Sequence, residues 1–172
     1  MVRLRHVAAA GVVGVLAAAA LAAGPAQAST DPTSITWTAT TRAPILTVAP
    51  PTTAQQYQMD VVSASNAQRR AHGLPALTVT SCLQSLATTW ANHLAATHTV
   101  THQSLGPFLT NCHASSAGEN IAMGNVTAAD VVTMWMNSPD HRANLLSSSF
   151  THVAIGAALS DGNWYVVQDF SG

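Results

Sequence analysis

From Val7 to Gly24 the chain is an uncharged run of Ala, Val, Leu and Gly, and only beyond residue 55 do apolar positions recur at helical or strand spacing. Met59, Val62, Ala67 and Ala71 fall on one side of a predicted helix. His72-Gly73-Leu74-Pro75 ends it, a glycine and then a proline being a common helix stop. A second helix follows a cap at Thr80 or Ser81. Its apolar positions are Leu83, Leu86, Ala87, Trp90, Ala91, Leu94 and Ala95, spaced three and four apart, the strongest helical pattern in the chain. A third starts at Thr127, with Asp130 in its first turn, and carries Val131, Val132, Met134, Trp135 and Met136 until Pro139 interrupts it. Asp140 to Leu146 can form a further short helix. The pattern then changes to two β-rich runs, His152 to Ser160 and Asn163 to Phe170, joined by Asp161-Gly162, a dipeptide suited to a type I′ hairpin. Helices first and paired strands last predict an α+β domain with an antiparallel sheet.

The ends of the chain add a route and a compartment. Arg3 and Arg5, the apolar run and Ala26-Gln27-Ala28 are the three regions of a signal peptide over residues 1–28, with cleavage after Ala28. The rival is an uncleaved signal anchor, because the run approaches the ~20 residues of a membrane span. Residues 29–55 are crowded with Thr, Pro and Ala and read as a flexible spacer, leaving 56–172 as one domain of ordinary size. After cleavage four Arg and no Lys face six Asp and one Glu, a formal charge of −3 that excludes a basic field for nucleic acid or an anionic membrane. Cys82 and Cys112 form an even pair in an exported chain, which favours a disulfide over two buried thiols. Such a bond would stabilise the fold by ~3–4 kcal/mol in the chain-entropy model.

Four stretches carry a family resemblance: Asn66-Ala67-Gln68-Arg69-Arg70 with His72 to Leu77; Leu86 to Ala95; Gly118-Glu119-Asn120-Ile121-Ala122; and Trp135 to Leu146. With the two closing strands, their order and spacing resemble the bacterial branch of the CAP superfamily, that of cysteine-rich secretory proteins, antigen 5 and pathogenesis-related 1 proteins. The resemblance covers about residues 57 to 172. It implies an α-β-α sandwich, a small antiparallel sheet flanked by helices, and a secreted location.

In animal and plant members a cleft gathers two His and two acids, and the His pair can hold a divalent metal. Carried over by position, the resemblance implies His102, Glu119, Ser138 and His141 as cleft residues, with His98 a weaker alternative to His102. His102 and His141 are the candidate ligands of a metal such as zinc. Ser138 stands where the family has its second acid, which reduces the set to two His and one carboxylate. The H-E-x-x-H helix of metalloproteases is absent.

Each candidate also has a structural reading: Glu119 as a carboxylate fixing a turn through backbone N–H groups, the histidines as ordinarily bonded, and Ser138 as the cap before Pro139 rather than a nucleophile for His141. Trp90 and Trp135 read as core, and Trp37 as a lone aromatic in the spacer. The resemblance leans toward a non-enzymatic extracellular module binding a lipid, a glycan or another protein, with no required cofactor and no nucleic acid. The alternatives are a metal-assisted hydrolase, with His102 and His141 on the ion and Glu119 as ligand or base, and a structural protein of the cell envelope.

Overall fold

A computed structural model describes residues 3–5 and 53–172 of the chain; the apolar leader run, cleavage site, Trp37 and spacer up to residue 52 lie outside them. The elements in order are β1 (Arg3–Arg5), α1 (Ala54–Ala71), α2 (Ser81–Thr97), α3 (Gly106–Thr110), β2 (Ser116–Gly124), α4 (Ala128–Asn137), α5 (Pro139–Leu145), β3 (His152–Ser160) and β4 (Asn163–Ser171). One four-stranded sheet runs in the order β1-β2-β4-β3, with β1 parallel to β2 and the other pairs antiparallel.

Helices cover both faces, giving the three-layer arrangement that the resemblance implied. On one face α1, α4 and α5 place Tyr57, Val61, Val131, Trp135 and Leu145 against Val153, Ile155, Val166 and Phe170. On the other, α2 and α3 place Leu83, Ala87, Ala91, Leu94 and Phe108 against Ala117, Ile121, Ala154, Tyr165 and Val167. Side chains alternate across a pleated strand, so β4 sends even-numbered residues to the first layer and odd-numbered ones to the second. Gly156 lets α2 come close to the sheet: a Cβ there would collide with the carbonyl oxygen of Ala87.

Local chemistry explains the element ends. Thr127 accepts from the Asp130 N–H while the Asp130 carboxylate accepts from the Thr127 N–H, a capping box that starts α4. Asp161 and Gly162 take φ of 49° and 75°, the left-handed pair a tight hairpin requires. The Cys82–Cys112 disulfide joins the first turn of α2 to the loop after α3.

Three expectations need correction. The buried side of α1 is Tyr57, Val61, Ser65 and Arg69, whereas Met59 is 57 % exposed and Ala67 and Ala71 face solvent. Apolar spacing misplaces the face because two of its four residues are polar and satisfied inside. Ser65 accepts from Gln168 at 2.8 Å, and the Arg69 guanidinium donates to the carbonyls of Pro75, Leu145, Ser147 and Phe150 at 2.8–3.4 Å. Trp90 is half-buried: its ring stacks on His93 and its indole N–H donates to Thr101. Trp135 is core as expected. Glu119 fixes no turn, for Ser116–Gly124 is a strand paired with β4 along its length. Its polar Glu119-Asn120 centre hides the strand from a reading of apolar alternation.

Candidate functional site

The site grows from the middle of β2 and β4. Glu119 is the cross-strand partner of Asp169 and Asn120 that of Gln168. Successive residues point to opposite faces, so the two acids lie under α2 and α3 while the two amides lie under α1 and α5. All four side chains are buried. Gly118, just before them, has no room for a side chain, because a Cβ would stand 2.8 Å from the Phe150 ring.

On the acid face, His102 Nδ1 lies 2.5 Å from Glu119 Oε1, and the backbone N–H of Gln103 donates to the same oxygen at 3.3 Å. The Gln103 side-chain amide donates to Glu119 Oε2 at 2.8 Å and to both Asp169 oxygens at 3.1 and 3.2 Å. Burial, and then the charge of Glu119, push the Asp169 carboxyl well above the usual carboxylate range, against the opposing effect of the Gln103 amide. The His102 side chain is 14 % exposed and that of Glu119 fully buried, so the histidine is the outer member of the pair.

On the amide face, Asn120 donates to the His141 carbonyl at 3.1 Å and to Gln168 Oε1 at 3.0 Å. Asn144 donates to the Glu119 carbonyl at 3.1 Å and to Asn120 Oδ1 at 3.0 Å. Gln168 passes the chain of bonds on to Ser65 of α1. This network fixes the backbone of α5, and with it the position of His141.

Of the residues expected in the cleft, the structure joins His102 to Glu119 directly. His141 is 4 % exposed, and its Nε2 finds no hydrogen-bond partner among the described residues. Burial lowers its pKa, the charge of His102 lowers it further, and Asp140 acts in the opposite sense. Ser138 holds the position before Pro139 at the start of α5, but its hydroxyl makes no capping hydrogen bond. His98 belongs elsewhere: it ends α2 in a left-handed conformation and faces Asp161 and Tyr165 at the hairpin. Among the described residues no three His, Cys, Asp or Glu side chains gather into a group that could hold a metal ion. Both Glu119 oxygens are engaged, Oε1 by His102 and Oε2 by the Gln103 amide.

Asp169, Gln103 and Gln168 escape a sequence reading centred on histidines and Glu119. One signal was present. Gln168-Asp169 interrupts an otherwise apolar and aromatic strand with two consecutive polar residues, which must project to opposite faces.

The fold and this polar crossing can now be set beside known proteins. A family model described as the cysteine-rich secretory protein family (CAP) matches residues 62–170, and the chain belongs to that family. The uncharacterized protein YkwD of Bacillus subtilis (strain 168) is 32% identical over 163 residues, covering 87% of this chain and 63% of its own. The chain thus spans less than two thirds of that relative. The structure is similar to an extracellular SCP-domain protein of Bacillus anthracis str. Ames, with a TM-score of 0.60 and 24% identity over 72% of this chain and 45% of that one. It also resembles an outer surface protein of Borrelia burgdorferi, with a TM-score of 0.57 and 24% identity over 64% of this chain and 88% of the other. At that identity the two structures speak to the fold. Among the described residues no helix is long and apolar enough to cross a membrane.

Proposed function

We propose that the chain is an exported binding module that works outside the cell. In this reading the leader is removed after Ala28 and takes β1 with it, leaving the sheet β2-β4-β3. Residues 29–55 hold the CAP domain clear of the envelope, and the polar crossing with His102 at its outer side recognises a lipid, glycan or protein ligand. The observation that carries it is the state of Glu119. Its carboxylate is fully buried and takes bonds from His102 and Gln103, so it serves to orient the imidazole rather than to meet a substrate. A general acid or base needs hydrogen-bond reach to the reacting group. A metal-assisted hydrolase therefore has less support, and the extracellular and outer-surface relatives agree with export.

The test is a binding titration of the exported protein against phosphatidylcholine vesicles, soluble peptidoglycan fragments and a zinc salt. Saturable binding to vesicles or glycan, lost in His102→Ala with circular dichroism unchanged, is the expected result. Binding that survives His102→Ala would move recognition away from this crossing. Hydrolysis of a model ester that requires zinc and Glu119 would overturn the non-enzymatic reading.

A further inference from the structure

We infer that the cleft between α1 and the extended segment Leu77–Val79 is a second binding site, one that takes a short uncharged peptide in extended conformation and pairs it with the main chain of Val79. It lies beyond β3, whereas the polar crossing joins β2 and β4, and it does not depend on what that crossing binds.

The edge is built one residue at a time. Thr78 bridges β3 in parallel: its N–H donates to the Thr151 carbonyl at 3.1 Å, and its carbonyl accepts from the Val153 N–H at 2.9 Å. Successive residues of an extended chain turn their main-chain groups to opposite sides, so Leu77 and Val79 both turn theirs away from β3. Leu77 is satisfied there by the side chain of Asn66 on α1. The Asn66 Oδ1 accepts from the Leu77 N–H at 2.8 Å, and its NH2 donates to the Leu77 carbonyl at 3.0 Å. Val79 has no such clasp. Its N–H and C=O meet no hydrogen-bond partner among the described residues, and the residue is 52% exposed.

The same stripe of α1 continues past Val79. From Asn66 toward the helix N-terminus, one turn at a time, it presents Val62, then Met59 and Gln58, then Gln55. With Val79 and Gln84 these residues line a cleft of about 320 Å³. Gln84 spends its NH2 on the Ile155 carbonyl at 2.7 Å and the Thr88 hydroxyl at 3.0 Å, which leaves its oxygen to accept. The Gln55 and Gln58 amides make no hydrogen bond among the described residues.

This lining selects the occupant. Among the described residues no charged side chain lines the cleft, so an ionic ligand would find nothing to balance it. No aromatic ring is there for the face of a sugar to lie on. An acyl chain would cover Met59 and Val62 but leave the glutamine amides and the Val79 main chain unpaired, which is costly for buried polar groups. A peptide group meets both needs. It offers one donor and one acceptor, as the Asn66 carboxamide offers Leu77, and small apolar side chains beside it would cover Met59 and Val62. The cleft is at the small end of ligand pockets and suits a few residues rather than a folded partner.

The experiment is a 15N–1H NMR titration of the whole chain with a capped, uncharged pentapeptide of alternating alanine and valine. Saturable shifts centred on the Val79 amide, with slower exchange of that amide, are the expected result. Met59→Glu puts a charge into the cleft from a position that is 57% exposed, so the fold should hold while affinity falls roughly tenfold or more. Val79→Pro removes the donor and should weaken binding roughly fivefold. His102→Ala should leave this titration unchanged, which separates the site from the polar crossing. No saturable shift at Val79, shifts that vanish in His102→Ala, or binding undiminished by Met59→Glu would each overturn the inference. So would equal occupation by N-acetylglucosamine or by decanoate, which would give the cleft to a sugar or an acyl chain. Protection of the Val79 amide that grows with protein concentration in the absence of peptide would give it to a second copy and overturn it as well. Should Val79→Pro fail to fold, Met59→Glu still decides the matter.

Discussion

One residue apart on the same two strands, the chain builds two polar devices of opposite kind. Under α2 and α3 it pairs the acids Glu119 and Asp169, and under α1 and α5 it pairs the amides Asn120 and Gln168. The amide side supplies its own donors and acceptors, with bonds running from Ser65 through Gln168 and Asn120 to Asn144, whose Oδ1 has no partner among the described residues. The acid side lacks donors of its own and takes them from Gln103 and His102. Amide networks of this sort respond little to pH and fix geometry. Acids held by borrowed donors respond to pH and carry charge. The fold thus separates the part that holds the site from the part that can change state.

The largest effect should come from the holding side. Arg69→Met leaves buried carbonyls of Pro75, Leu145, Ser147 and Phe150 without their donor and should cost roughly 3–5 kcal/mol in urea unfolding. A loss under about 1 kcal/mol would mean that water replaces the guanidinium at little cost. Next, Asn120→Ala breaks bonds to His141, Gln168 and Asn144 and should cost roughly 2–3 kcal/mol. If Asn120→Ala proves milder than Glu119→Gln in the same assay, the assignment of holding and switching sides is reversed.

The pH profile sharpens the contrast further. Asp169 has a raised folded pKa, so its contribution to stability is present below the ordinary Asp range and lost as pH rises through its folded value. His141 has a lowered folded pKa, so its contribution is present above the ordinary histidine range and lost as pH falls toward its folded value. Thermal unfolding across pH should therefore show a maximum between the two. Asp169→Asn should flatten the alkaline limb, and His141→Gln the acidic limb. A profile whose alkaline limb is unchanged in Asp169→Asn would assign that limb to another group. The smallest effect belongs to Ser138→Ala, expected within about 0.5 kcal/mol because its hydroxyl makes no capping bond.

How much of this was legible depends on what kind of signal each residue gives. Periodicity found α2, α4 and the β3–β4 hairpin, because their buried faces are apolar and their ends carry local chemistry such as Thr127 and Asp161-Gly162. It located α1 but not its inner side, since Ser65 and Arg69 are buried through partners distant in sequence. It missed β2 for the same reason, Glu119 and Asn120 being interior polar residues. His102 and Glu119 were nameable only by resemblance, and the structure places them in contact. Asp169 and Gln103 became visible through the strand register and a side-chain amide, neither of which leaves a local pattern.

The Cys82–Cys112 bridge spans 30 residues of chain and encloses His102 and Gln103, while Glu119 and Asp169 lie outside it. The covalent ring limits how far that segment can wander, and so raises the effective concentration of imidazole and amide at the acids. Reduction should then show first as faster amide exchange in the 99–105 stretch, before any global unfolding. In that sense the disulfide acts as a tether that delivers donors to the sheet.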